Sequence, residues 1–209
     1  LRRARLRLTL GRYRDAHTDL LRLLEHDPDD VNTLTTLVAL YDRVGEFPRA
    51  APLLERIVVQ RPRDADALTD LSIAYGDTPR GEQAIARAYA VAPRARRVLA
   101  RRCSLAVHTR DARAIARCEE AHERARSNAF VLGDLAEAHL IAGDAVTARA
   151  RLERALGLRP DDVGFLFRHA KLTRELGDDA AAARSLARAC ALADDPRCGP
   201  TDGAQRVGP

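Results

Sequence analysis

The sequence predicts an all-α fold of stacked antiparallel helical hairpins, an α-solenoid, and three observations carry that prediction. Hydrophobic residues make up 46% of the 209-residue chain, yet aromatics only 4%, and Met and Trp are absent. A core of Ala, Leu and Val suits closely packed helices better than a β-sandwich, which draws on β-branched and aromatic strands. An alanine recurs at a fixed interval: Ala16, Ala50, Ala84, Ala114, Ala148 and Ala182 stand 34, 34, 30, 34 and 34 residues apart. Punctuation keeps the same phase, with Gly11 and Gly45, Gly143 and Gly177, and Pro28 and Pro62 each 34 apart. Self-similarity at such a period marks a repeat architecture.

One unit shows why each element forms. Residues 130–141 place Leu132, Leu135, Ala136 and His139 on one helical face. Gly143 can take the left-handed conformation that ends a helix, and Asp144 can cap the next one. That second helix sets Ala148, Leu152 and Ala155 on a single stripe, at i, i+4 and i+7. Pro160 stops it, and Asp162 can cap the helix that follows. Short side chains let antiparallel helices approach closely. A single hairpin cannot bury its own apolar face, so neighbours must stack.

A 34-residue helix–turn–helix with Gly in the turn, Ala early in the second helix, a small residue one stripe later and a closing Pro resembles the tetratricopeptide repeat (TPR). The stretches "LYDRVGEFPRAAPLLERIVVQRPRD" and "AGDAVTARARLERALGLRPDD" carry the resemblance best. The family's usual Trp in the first helix is replaced by Leu34, Leu68, Leu132 and Leu166. The resemblance implies a right-handed solenoid. It divides residues 1–196 into a truncated first repeat, 1–30, then repeats of about 31–64, 65–94, 95–128, 129–162 and 163–196. Two departures are expected to matter. The 30-residue step before Ala114 is about one turn short, and with Pro93 arriving early the helix of Ala84 and Ala88 should end a turn sooner, altering the stack near residues 76–98. The Gly- and Pro-containing residues 197–209 read as a disordered tail.

Composition also narrows the chemistry. Net charge is +5, and 34 of the 35 basic residues are Arg, Lys171 being the exception. So uniform a bias says little about any one site. Charged residues reach 31%, and no apolar run approaches the roughly 18 residues of a membrane-spanning helix. Starting at Leu1, in mid-pattern and without Met, the chain reads as a fragment or a processed product. No signal peptide is visible, and the compartment stays open with cytoplasm as the default. No phosphate loop, dinucleotide fingerprint, nucleophile elbow or zinc-protease motif is present. The expectation is therefore no enzyme, no cofactor and no metal. Cys103 and Cys118 read as buried, with His108 and His122 at the surface and too far apart along the hairpin to share one ion. For Cys190 and Cys198 the plainer reading is a helix-face Cys and a loose tail Cys. The alternative is a disulfide that tethers the tail.

Two sets of residues are candidates for binding. Residues 94–117 hold Arg94, Arg96, Arg97, Arg101, Arg102, Arg110, Arg113 and Arg117 against one acid, Asp111. Such a patch can receive an acidic or phosphate-bearing partner through guanidinium forks; a solvated face is the plain alternative. Arg101 or Arg102 falls where other repeats have Leu37, Leu71 or Leu135, a breach of the local pattern. The second set is implied by the resemblance: a concave face lined by each first helix. It would present Asn32, Thr35, Asp42 and Arg43, then Asp66 and Thr69, then Phe130, Glu137 and Ile141, then Phe167, Lys171 and Arg174, with Phe130 and Phe167 as exposed apolar anchors. The clamp that some members use for a terminal carboxylate is missing, because its positions hold pairs such as Thr35 and Ala39 or Phe167 and Lys171. The favoured function is a scaffold binding a protein or peptide, acidic where it meets the Arg patch. Two other readings stay open: a regulatory or substrate-recruiting C-terminal segment of a larger enzyme, docked on its own upstream part, and a polyanion or nucleic-acid binder through residues 94–117. Nucleic acid is disfavoured, since that stretch lacks stacking aromatics.

Overall fold

Short polar residues open the helices, and the backbone shows why they stand where they do. Asp30, Asp64, Asn128, Asp144, Asp162 and Asp178 each accept a hydrogen bond from a backbone N–H in the first turn of the helix they precede. Those N–H groups have no partner inside the helix, so the cap supplies one. Gly143 closes the opposite end at φ +83°, a conformation that costs other residues more. Asp144 then donates its N–H to the His139 carbonyl at 2.9 Å before capping the following helix.

The computed structural model describes residues 1–193 and 195–198, and it divides into two compact units, Leu1–Thr109 and Arg110–Pro209. The first unit holds α1 (Arg2–Thr9), α2 (Tyr13–His26), α3 (Val31–Arg43), a 3-10 turn (Phe47–Ala50) running into α4 (Ala51–Gln60), α5 (Ala65–Tyr75), α6 (Pro79–Val91) and α7 (Arg96–His108). The second holds α8 (Ala114–Arg124), α9 (Ala129–Ile141), α10 (Ala145–Leu158), α11 (Val163–Glu175), α12 (Asp179–Leu192) and a 3-10 turn (Pro196–Cys198). No strand occurs among the described residues. The fold is all-α, and within each unit consecutive helices pack against one another as helical hairpins.

The alanine ladder forms the inside of the packing. Ala16, Ala50, Ala148 and Ala182 are at most 1% exposed, and Ala84 and Ala114 are buried with them. In the first unit, Leu20, Leu34, Leu37, Leu54, Leu68 and Val98 join the same cluster. In the second, Leu132, Ala136, Leu152, Ala155 and Phe165 form one cluster, and Leu166, Phe167 and Ala189 another. One buried acid is part of the first unit. Asp19, 6% exposed, accepts from Arg3 at 2.7 Å and from Arg7, which ties α1 to α2.

The short step falls where the sequence placed it, in part. α6 ends at Val91, seven residues past Ala84, whereas α4 and α10 run ten residues past Ala50 and Ala148. The division between units falls after Thr109, and α7 is bound into the first unit through Arg101. The tail is a correction for two residues. Arg197 and Cys198 lie in a 3-10 turn, since Cys190 and Cys198 form a disulfide; residues 199–209 lie outside the described residues.

Two outcomes follow for stability. Ala148→Leu should destabilise the chain by about 2 kcal/mol through overpacking, while Val146→Ala, on the exposed side of α10, should change it by less than about 0.5 kcal/mol; urea unfolding separates them. Asp19 is held below the usual carboxylate range, first by the hydrogen bond from Arg3. Its contribution is therefore complete above the ordinary carboxylate pKa and is lost as pH falls through its lower folded value. Hydrogen exchange in α1 should rise over that acid range, and in Asp19→Asn the acid-dependent component should vanish.

Candidate functional site

Three arginines of the arginine-rich segment, Arg97, Arg101 and Arg102, are engaged within the first unit itself. α7 begins at Arg96, just past Pro93, and its first turns cross α5. Arg97 pairs with Asp70 and reaches Asp66 at 3.8 Å. Arg101, whose side chain is only 11% exposed, donates from Nε to Ser72 Oγ at 3.0 Å and from Nη2 to the carbonyls of Ser72 (3.0 Å) and Gly76 (2.7 Å). These carbonyls belong to the C-terminal end of α5 and its turn, where acceptors lack helical partners and a cation is favoured. Asp77 adds a contact to Arg101 at 3.3 Å and one to His108 at 3.4 Å. Gly81 permits the crowding: a Cβ there would stand 2.2 Å from the Gly76 oxygen. Arg102 stacks on the Tyr89 ring, 3.6 Å from its centroid.

Packing adds acids that the count within residues 94–117 does not include. The local sequence offers one acid, but the packing brings Asp66, Asp70 and Asp77 from α5 and its turn against Arg97 and Arg101. In the second unit, Asp111 takes Arg117 at 2.9 Å and Arg113 at 3.5 Å, and Arg113 N–H donation holds its carboxyl low. Arg94 and Arg110 are exposed. The eight arginines are divided between the units, with Arg94, Arg96, Arg97, Arg101 and Arg102 in the first and Arg110, Arg113 and Arg117 in the second.

The first-helix faces differ in character. In the first unit, Asn32, Thr35, Asp42, Arg43 and Asp66 are exposed. Thr69 is fully buried, its hydroxyl donating to the Ala65 carbonyl at 2.6 Å. Arg97 of α7 meets Asp66 and Asp70 on either side of Thr69, so the following helix closes over that turn. Asp70 is pushed above the usual carboxylate range, first by burial and further by Asp66 and Asp42, with Arg97 pulling it back. This face is acidic.

The second unit presents a different surface. Phe130 is 55% exposed, with the Arg159 guanidinium 4.6 Å from its ring centre and the Phe165 ring tilted against it at 5.9 Å. Ile141, Lys171 and Arg174 are exposed and Glu137 half-buried. Phe167, expected as an exposed anchor, is 8% exposed because Arg197 of the C-terminal turn stacks on it, 3.6 Å from the ring centre. Between α9 and α11 lies a depression of about 260 Å³, with Gly133, Ala136, Leu140, Leu172 and, from α10, Leu152 as its apolar lining and Glu137, Arg168, Lys171 and Glu175 around it. A second depression of about 400 Å³ shares Arg168, Lys171 and Glu175 and continues to Phe167, Arg174, Leu186 and Arg197. Gly133 makes room for the neighbouring helix, since a Cβ there would meet Phe165 Cε1 at 2.6 Å. Sequence reasoning missed Arg168, Glu175, Leu186 and Arg197. Arg168 had a signal, three residues beyond Phe165 on the same helix, and its guanidinium stands 4.9 Å from that ring centre. Arg197 had none, because its place depends on the disulfide.

The cysteine and histidine readings divide. Cys103 and Cys118 are fully buried and neither is a free thiol. His108 is exposed, but His122 is buried rather than at the surface, and desolvation lowers its pKa. Among the described residues no three His, Cys, Asp or Glu side chains converge as metal ligands would, and no helix is long and apolar enough to cross a membrane.

Comparison with known proteins agrees with this geometry. The model of the tetratricopeptide repeat matches residues 1–32 and 35–100. No curated protein matches the sequence. Among solved structures, the chain is similar to TTC0263, a thermophilic TPR protein of Thermus thermophilus, at 24% identity and TM-score 0.62, covering 82% of this chain and 96% of that one. It is similar to MamA (41-end) from Desulfovibrio magneticus RS-1 at 16% identity and TM-score 0.64, covering 78% and 94%. The APC/C hetero-tetramer Cut9–Hcn1 gives TM-score 0.78 at 14% identity, covering 92% of this chain and 39% of that one.

Removing Arg101 should be costly where removing Arg94 is not. Arg101→Ala strands the α5 carbonyls and should lose about 2 kcal/mol in urea unfolding, against less than about 0.5 kcal/mol for Arg94→Ala. Arg97→Ala removes the cation that opposes the upward shift of Asp70. The folded pKa then lies further above the unfolded one, so stability is complete at acid pH and lost as pH rises through the folded value. The variant's deficit should be larger at about pH 7 than at about pH 4.

Proposed function

We propose that this chain, which belongs to the tetratricopeptide repeat family, binds an acidic segment of a protein partner across the exposed faces of α9 and α11. As a tetratricopeptide repeat protein it is a protein-interaction scaffold, and such repeats are typically non-catalytic. The observation that carries the reading is the pair of adjoining depressions in the second unit. Apolar residues line them, and Arg168, Lys171 and Arg174 outnumber the acids around the second one, where Glu175 stands alone. An extended or helical segment can set an apolar side chain between α9 and α11 and meet the guanidinium and ammonium groups with carboxylates. Guanidinium forks suit carboxylates in geometry as well as charge.

The first unit does not favour the same partner chemistry. Asp42, Asp66 and Asp70 act on one another there, and Arg97 is already committed to two of them. The role expected of residues 94–117 therefore passes to Arg168, Lys171 and Arg174. Cationic groups at the rim speed encounter and make it salt-sensitive, while the apolar lining sets how long the complex lasts.

Affinity capture from native extract, with the full chain as bait, tests this reading. Lys171→Glu with Arg174→Glu should lower recovery of the specific partner roughly tenfold at low salt, equal to about 1.4 kcal/mol. At high salt the parent and the variant should converge. Equal recovery by both at low salt would remove the second-unit face from consideration.

A further inference from the structure

The repeat places Phe167 at the position held one repeat earlier by Gly133, 34 residues before it. Gly133 is covered by the next first helix, through Phe165. Phe167 is thus at a position that a following first helix would cover. Here the C-terminal 3-10 turn takes that seat. Arg197 lies 3.6 Å from the Phe167 ring centre, and Cys198 packs against the cluster of Leu166, Phe167 and Ala189.

What holds the turn is unequal in strength. Asp195 accepts from Arg197 Nε at 2.8 Å and Nη2 at 2.7 Å, and from its backbone N–H at 2.9 Å. Those bonds hold the Asp195 carboxyl at about 2, but they lie within the turn and would travel with it. So does the bond from the Cys198 N–H to the Asp195 carbonyl. The covalent tie from the turn back to α12 is the Cys190–Cys198 disulfide. Both cysteines are half-buried.

We infer that this disulfide is a redox latch on the second-unit binding face: oxidised, it parks Arg197 over Phe167, and reduced, it frees the turn and opens the apolar end of the groove. The inference rests on the reading of that face as a binding site, and names its regulation. The chemistry is thiol–disulfide exchange with a dithiol reductant. A reductant thiolate attacks one sulfur of the pair and breaks the S–S bond, giving a mixed disulfide and one cysteine thiolate, which takes up a proton. The second reductant thiolate then displaces the other cysteine sulfur, which is protonated in turn. Two electrons pass to Cys190 and Cys198, which end as thiols, and the dithiol ends as a disulfide. With the turn released, Arg197 leaves the depression, and more of Phe167 and Leu186 is bared beside Lys171 and Arg174, which line it with them.

Anilinonaphthalenesulfonate, an apolar dye with one negative charge, matches that opened surface and serves as the probe. Dithiothreitol should raise dye fluorescence on the full chain several-fold, with helical circular dichroism unchanged. Cys190→Ser with Cys198→Ser should show the raised signal without reductant and gain nothing more from it, which separates this pair from Cys103 and Cys118. Adding Phe167→Ala to that variant should abolish the gain. Arg197→Ala, with the disulfide intact, should also raise fluorescence, and it decides the matter should the double variant lose helix. The latch is overturned if the double serine variant, with its helix intact, stays at the oxidised parent's level, if Arg197→Ala does so where that variant has lost helix, or if the gain survives Phe167→Ala. Partner capture by Lys171 and Arg174, measured at fixed redox state, is a separate readout. A latch without partner binding, or binding without a latch, each gives its own pattern.

Discussion

Everything else in this protein depends on how closely the second helix of each hairpin approaches its neighbours. The alanine ladder sets that distance: a single methyl at Ala16, Ala50, Ala148 or Ala182 is at most 1% exposed. Packed interiors tolerate neither an added methylene nor a void cheaply. With so few aromatics in the chain, cohesion comes from many short contacts spread along the stack. The consequence for function is direct. Second helices spend their small residues on packing, so variation in exposed chemistry falls on the first helices, where Asp42 and Asp66 stand in one unit and Phe130, Lys171 and Arg174 in the other.

Arginine in this chain is more a building material than a signal. Arg101 satisfies the end of α5, and Arg3 and Arg7 neutralise a buried Asp19. Aromatic rings carry arginines as well, with Arg102 on Tyr89, Arg159 on Phe130 and Arg197 on Phe167. A planar guanidinium can stack and donate at once, which an ammonium cannot. A run of basic residues therefore says little until the acids and carbonyls facing it are known. Once they are placed, Lys171 and Arg174 of α11 stand exposed beside an apolar depression, which exposed Arg94 and Arg110 are not shown to do.

Local signals in the sequence carried most of the fold. Gly143, Asp144 and Asp162 act at the positions their chemistry suggests, and the early end of α6 follows from the 30-residue step and Pro93. Contacts between distant residues were not legible. Asp66 and Asp70 reach Arg97 from the preceding repeat, so a local count of charges could not include them. The turn at Arg197 depends on a disulfide whose formation no spacing rule decides, and the burial of Phe167 follows from that turn. Thr69 shows the same limit from the other side: it was expected on an exposed face and is fully buried, because the helix that closes over it was not visible.

The central claim is that recognition belongs to the exposed faces of the first helices, while the second helices serve the packing. Hydrogen exchange of the full chain, alone and with its captured partner, tests this most directly. The account predicts new protection confined to α9 and α11, with α10 and α12 unchanged. Protection appearing in α10 and α12, with α9 and α11 unaffected, would contradict it.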